Sequence, residues 1–126
     1  MYGQKKVLVV EDEEDLANLV SHRLRLNNYD VTAVKDGQEA MDIIEKNNFD
    51  LIILDIMIPK IDGYEVCRRL KESDKYSKVP VVMFTARADQ ESQDLSFGLG
   101  ADAYIVKPFE PTALLYKVKA LLEKKT

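Results

Sequence analysis

The chain has 126 residues, 46% of them hydrophobic and 32% charged, which suits one domain with a buried core and excludes both a disordered chain and two ordinary domains. With 18 basic against 22 acidic residues the net charge is −4, which argues against nucleic-acid binding through phosphates and favours plain solubility. Cys67 is the sole cysteine and His22 the sole histidine, so an internal disulfide and a zinc site of nitrogen and sulfur ligands are both excluded, and any metal must be held by oxygen.

Met1 to Lys6 lead into a short apolar run, Val7 to Val10, before acid begins. This is too short for a signal-peptide core, so a cytoplasmic location is expected. Val7-Leu8-Val9-Val10 predicts a first strand, and Leu16, Leu19, Val20 and Leu24 then fall at helical spacing with one buried face. The more polar run Asp30 to Val34 suits an edge strand. A helix over 38–46 follows, with Ala40, Ile43 and Ile44 on its stripe. The greasiest stretch, Leu51 to Ile58, is broken by Asp55 and is far shorter than the roughly 20 residues a membrane span needs, so Leu51 to Leu54 is read as a strand.

Residues 63–72, with Val66, Cys67 and Leu70 inward, predict a third helix, and Val81 to Phe84 a fourth strand. Residues 89–98 offer only Leu95 and Phe97, so that helix is expected to be lightly anchored. Ala103 to Val106 reads as the fifth strand, and Leu114, Leu115, Val118, Leu121 and Leu122 form the stripe of a last helix. Lys117, Lys119, Lys124 and Lys125 make its polar face. The four apolar runs do not alternate with polar residues, as befits strands covered on both faces. Asn27-Asn28 and Asn47-Asn48 stand where helices end in a left-handed residue, Asp36-Gly37 and Asp62-Gly63 mark turns or helix starts, and Pro111 fits a first helical turn.

Strand and helix thus alternate five times. The expected fold is α/β, a doubly wound five-stranded parallel sheet of order 2-1-3-4-5 with helices on both faces, flavodoxin-like. Residues 1–126 are expected to be a single domain, without repeat or linker and without room for an attached output domain.

In such a sheet ligands bind beyond the carboxyl ends of the strands, at the point where strand order reverses. The sequence places Glu11 and Asp12 after strand 1, Asp55 after strand 3, Thr85 at the end of strand 4 and Lys107-Pro108 after strand 5. Carboxylates about 5 Å apart repel by roughly 3 kcal/mol per pair at an effective dielectric near 20, so something must compensate. Raised pKa values, the Lys107 ammonium or a divalent cation would each serve. An all-oxygen set without a dedicated cage suits Mg²⁺ together with a phosphoryl oxygen. A carboxylate so placed can itself attack phosphorus, and Asp55 is the candidate nucleophile. Taken singly, Asp55 fits a helix cap, Lys107 a solvated lysine, Thr85 a cap and Tyr104 ordinary core; their convergence on one edge favours the site. Glu13, Glu14 and Asp15 fit helix N-terminal charge, His22 a surface position and Cys67 a small core residue.

Val9-Val10-Glu11-Asp12-Glu13, Leu54-Asp55-Ile56-Met57-Ile58-Pro59 with Asp62-Gly63, Phe84-Thr85-Ala86-Arg87, and Gly100-Ala101-Asp102 leading to Lys107-Pro108-Phe109 together resemble the response regulator receiver domain of two-component signalling, over essentially the whole chain. The resemblance implies that Asp55 accepts a phosphoryl group from a phosphohistidine on a sensor histidine kinase or a histidine phosphotransfer protein. It implies that Glu11, Asp12, Asp55 and the Met57 carbonyl hold Mg²⁺, that Thr85 and Lys107 contact phosphoryl oxygens, and that Tyr104 is a switch aromatic moving with Thr85. A cis bond between Lys107 and Pro108 is usual in the family. The downstream partner would be a protein target or an output domain on another chain or a missing segment, with no direct nucleic-acid or membrane contact.

Glu11 stands where many relatives carry aspartate, which leaves Asp12 the firmer ligand. Met57 and Arg87 flank the entrance and resemble the transcription-factor branch. That branch dimerises through its fourth helix, fifth strand and fifth helix with paired charges, and the matching positions here, Gln93, Ala103, Ala113 and Lys117, lack the acids. A phosphatase passing through an aspartyl phosphate would want a second aspartate where Met57 stands, so independent substrate turnover is not expected. A flavin module would want a hydroxyl- and glycine-rich loop where Glu11 to Glu14 stand.

Overall fold

In the computed structural model, residues 3–123 are described, so Met1, Tyr2, Lys124, Lys125 and Thr126 lie outside the described residues. The chain runs β1 (Lys6–Val10), α1 (Glu14–Arg25), β2 (Asp30–Val34), α2 (Gly37–Lys46), β3 (Leu51–Leu54), α3 (Gly63–Glu72), β4 (Val81–Thr85), α4 (Gln90–Gly98), β5 (Ala103–Val106) and α5 (Pro111–Leu122). All strand pairs are parallel and the sheet order is β2-β1-β3-β4-β5, as expected from the strand-helix alternation.

Strand pleating divides the core in two. Leu8, Val10, Ile52, Leu54, Val81 and Met83 pack with Ala40 and Ile44 of α2 and Val66, Cys67 and Leu70 of α3. Val7, Val9, Leu51, Ile53, Val82 and Phe84 pack with Val20 and Leu24 of α1 and Leu114 and Val118 of α5. Helices therefore cover both faces, and the central strands are apolar from Val7 to Val10, Leu51 to Leu54 and Val81 to Phe84 because both sides of the sheet are dry there.

Local chemistry sets the ends. Asp36, Asp62 and Asp89 cap α2, α3 and α4, each accepting the N–H of the residue three further on. Pro111 opens α5, and Asn28 closes the α1 turn with φ of 69°. The second asparagine pair behaves differently: Asn47 is extended, and its side-chain amide donates to the Ile43 carbonyl, which satisfies the helix end without a left-handed residue.

Three expectations about burial are corrected. On α1 the buried residues are Ala17, Val20, Ser21 and Leu24, while Leu19 is 46% exposed; small side chains carry the close contact and turn the stripe away from Leu19. On α4 the buried residues are Ser92 and Ser96, and Leu95 and Phe97 face out. Strand β5 is buried only at Ala103, because it is a sheet edge like β2 and is covered on fewer sides than the central strands. His22 is exposed and Cys67 fully buried, as expected. Burial pushes the Cys67 thiol up to about 11, so it stays protonated and unreactive at neutral pH. Among the described residues no helix is long and apolar enough to cross a membrane.

Candidate phosphoryl and metal site

The ladder continues one residue past β1 and β3. Val10 pairs with Leu54, the Asp55 N–H donates to the Val10 carbonyl at 3.1 Å, and the Glu11 N–H donates to the Val34 carbonyl at 3.0 Å. Glu11 and Asp55 are thereby neighbours at the carboxyl edge, both buried although charged. On the far side of β4, Thr85 pairs with Val106, and the Lys107 N–H donates to the Thr85 carbonyl at 2.8 Å. Lys107 sits just past β5, joined to Pro108 by the cis peptide that the resemblance implies.

Lys107 reaches across the edge. Its Nζ donates to Glu11 Oε1 at 2.6 Å and to Asp55 Oδ2 at 2.9 Å, and it lies 5.0 Å from the Phe84 ring centroid. One carboxylate oxygen from each of Glu11, Asp12 and Asp55 lies within 4.8 Å of the others, with Asp12 exposed and the other two buried. Three carboxylates against one ammonium leave the cluster negative.

Burial and charge act together on Glu11 and Lys107. Burial holds the Glu11 carboxyl above its ordinary range, and the neighbouring Asp55 charge adds to this, although Lys107 and the Glu13 N–H oppose it. For Lys107 burial works against the charge, yet the hydrogen bonds it donates to Glu11 and Asp55 outweigh it and the ammonium is held above its ordinary value. An added divalent cation would relieve the repulsion that the lysine leaves uncancelled, and the donors are all oxygen with one solvent-facing ligand, so the residues fit Mg²⁺.

The remaining expected residues fall around this cluster. The Met57 N–H donates to Asp55 Oδ1 at 3.1 Å, which orients the carboxylate, while the Met57 side chain is 60% exposed. Thr85 is fully buried, and its hydroxyl accepts the Arg87 N–H at 3.4 Å. Tyr104 is half-buried; its hydroxyl donates to the Arg87 carbonyl at 2.7 Å, and its ring centroid lies 6.3 Å from that of Phe97. Arg87 itself is exposed, with Nε 3.9 Å from Asp89, and Pro108 is exposed. Contacts thus join Glu11, Asp12, Asp55, Met57 and Lys107 at one edge of the sheet, with Thr85 at the end of the adjoining β4 and Tyr104 within β5, opposite Met83.

Sequence reasoning missed two kinds of contributor. Gly37 and Gly63 read as turn signals, yet both permit close backbone approach: a Cβ at Gly63 would lie 2.2 Å from the Asp55 carbonyl oxygen. Nothing in local sequence tells a glycine used for space from one used for a turn. The second is Phe84, an ordinary core residue by pattern, whose ring underlies the Lys107 ammonium.

The model of the response regulator receiver domain matches residues 7–119. The alkaline phosphatase synthesis transcriptional regulatory protein PhoP of Bacillus subtilis is 42% identical over 120 residues, 95% of this chain and 49% of its own length; the chain spans about half the length of the curated relatives it matches. Among solved structures, the chemotaxis response regulator CheY4 of Vibrio cholerae superposes with a TM-score of 0.89 at 33% identity, covering 94% of this chain and 99% of that one. The receiver domain of the sensor histidine kinase PA1611 of Pseudomonas aeruginosa, solved with a magnesium ion coordinated in its active-site cleft, gives 0.88 at 29% identity, covering 98% of this chain and all of the other (100%).

Proposed function

The chain belongs to the response regulator receiver domain family, and from that premise we propose that it is a phosphoacceptor in a two-component phosphorelay, with Asp55 as the residue that carries the phosphoryl group. The observation that carries this reading is the buried Asp55 carboxylate, oriented by the Met57 N–H and bonded to Lys107 beside Glu11 and Asp12.

In this reading an Asp55 carboxylate oxygen attacks the phosphorus of a phosphohistidine on a histidine kinase or phosphotransfer protein. A P–O bond forms as the P–N bond breaks, and the imidazole leaves with the electron pair. Glu11, Asp12, Asp55 and the Met57 carbonyl would hold Mg²⁺, which supplies charge neutralisation for the phosphoryl oxygens when bound. Lys107, already between Glu11 and Asp55, keeps one buried carboxylate paired while the other is consumed and presents its ammonium to the transferred group. The Thr85 hydroxyl, at the end of β4, closes on a phosphoryl oxygen.

The adduct adds about −1.5 to −2 charges to an acidic cluster, so Thr85 and Lys107 are drawn inward. Tyr104, bonded to the Arg87 carbonyl two residues past Thr85, follows and alters the surface of α4, β5 and α5. Arg87, Met57 and Pro108 border the approach of a hydrolytic water. No second carboxylate stands at Met57, so the chemistry serves the domain's own modification and hydrolysis rather than turnover of a separate substrate. The partners are a kinase and a downstream protein or output domain, and the setting is the cytoplasm. Because Gln93, Ala103, Ala113 and Lys117 lack paired acids, the adduct does not drive a tight symmetric dimer through that face; sedimentation with and without beryllofluoride checks this.

The test is incubation with acetyl phosphate and Mg²⁺ followed by intact mass measurement. One phosphoryl addition is expected, absent in Asp55→Asn and in chelator. A wild-type protein that takes no phosphoryl group from acetyl phosphate or from any phosphohistidine donor would sink the reading.

A further inference from the structure

The segment after Asp55, from Ile56 to Asp62, carries Met57 and determines where the Asp55 carboxylate points. It is held by the Gly63 N–H and the Ile58 N–H, which donate to the Ile56 carbonyl at 2.9 and 3.2 Å, and by the Gly37 N–H, which donates to the Pro59 carbonyl at 3.1 Å. The last bond comes from another element, the first turn of α2. Gly37 is buried there, and a Cβ on it would lie 1.8 Å from the Ile61 carbonyl oxygen and 2.6 Å from the carbonyl carbon. Backbone meets backbone at this point, so a side chain cannot be absorbed by a rotamer change.

The same turn is fixed by Asp36. Its Oδ1 accepts the Glu39 N–H at 2.8 Å, and its Oδ2 lies 3.7 Å from Lys60 Nζ. Lys60 has φ of 72°, a left-handed conformation that lysine adopts seldom and keeps only where its surroundings hold it. The path of the loop is therefore imposed from α2 as well as by its own sequence.

We propose that Gly37, set in place by the Asp36 cap, is a positioning residue for the phosphoryl site: it seats Pro59 and Ile61 against α2 and so fixes the course of Ile56 to Ile58, the Asp55 carboxylate and the Met57 carbonyl. This rests on the phosphoacceptor reading for its consequence, but its geometry is read without it. Gly37 and Asp36 are not among the residues that would hold the phosphoryl group or the metal, and they act only through the loop.

The test uses Gly37→Ala, with Gly98→Ala as control, since a Cβ at Gly98 meets nothing within 4 Å. Three readouts are taken on protein whose cooperative melting shows that it is folded: the Met57 amide resonance without Mg²⁺, the Mg²⁺ dissociation constant without phosphodonor, and the rate of phosphorylation by acetyl phosphate. In Gly37→Ala the Met57 resonance moves and the Mg²⁺ dissociation constant rises about tenfold, as small displacements of reacting groups are costly. In Gly98→Ala neither changes.

Should Gly37→Ala not fold, Asp36→Ala takes its place. Loss of the cap loosens the turn and raises the dissociation constant about threefold, and Asp36→Asn, which keeps the cap, returns it to within about twofold of wild type. Folded Gly37→Ala with an unmoved Met57 resonance or an unchanged dissociation constant overturns the proposal, as does Asp36→Ala that binds Mg²⁺ like wild type. If the variants behave as expected while wild type accepts no phosphoryl group, the positioning stands and the phosphoacceptor reading falls; if wild type is phosphorylated and every variant matches it, the positioning alone falls.

Discussion

Strands β3 and β4 are buried at every position, whereas β5 is buried only at Ala103 and α4 only at Ser92 and Ser96. The first region places Asp55 and Thr85 on a base that cannot shift without opening the core. The second presents Leu95 and Phe97 to solvent and turns two serines inward, one of which, Ser96, has its hydroxyl buried without a hydrogen-bond partner among the described residues. Its far end is nonetheless pinned. Lys71 Nζ donates to the Ser77 and Val79 carbonyls and to Asp102, and Asp102 also accepts the Val81 N–H. The flank is therefore fixed away from the site and weakly held beside it, which is where a response to charge at Asp55 can be expressed at low cost, since moving elements come from the less stable parts of a fold.

The largest expected effect separates the two regions. Phe84→Ala, in fully buried β4, should lose about 3–5 kcal/mol, while Phe97→Ala on α4 should stay within about 0.5 kcal/mol of wild type. Urea denaturation measures both, and equal losses would erase the contrast. Next is Lys107→Ala, which leaves two buried carboxylates without their cation. In chelator it should lose about 3 kcal/mol, with part recovered on adding Mg²⁺; no loss would mean the ion pairs are incidental.

The pH dependence of metal binding comes third. The Glu11 carboxyl is held above its ordinary range in the folded protein, so its contribution to folding without metal is greatest when protonated and falls as pH rises through its titration. Mg²⁺ must displace that proton. Affinity should climb with pH through and above the usual carboxylate range and then level off, with proton release visible by calorimetry in two buffers. Affinity that is flat over that range would remove Glu11 from the ligand set. The smallest effect is Ser96→Ala, which deletes an unpaired buried hydroxyl and should stabilise by about 0.5–1 kcal/mol. Amide exchange should show slower opening of α4 and no change in β3.

What the sequence disclosed and what it hid follow from the range of the signals. Dry runs such as Leu51 to Leu54 between turn residues announce buried parallel strands, and the order of the motifs then brings Glu11, Asp55 and Lys107 to one edge without any coordinates. Helix faces were less legible. Apolar spacing found Val20 and Leu24, which α1 does bury, but it also picked Leu19 and passed over Ala17 and Ser21, because close packing is decided by the neighbouring surface. On α4 the same reasoning picked Leu95 and Phe97, and the helix lies on its serines instead. The Gly37 approach to Ile61 joins residues that are remote in sequence and is visible only once the chain is folded.

The most direct test of the central claim is to find the atom that carries the phosphoryl group. Protein treated with acetyl phosphate and Mg²⁺ is reduced with borohydride, which converts an aspartyl phosphate to homoserine, and the peptides are sequenced. The account requires homoserine at position 55 and at no other acidic residue. Homoserine at Asp12 instead, or a stable phosphoryl group on His22 or a hydroxyl side chain, would contradict it.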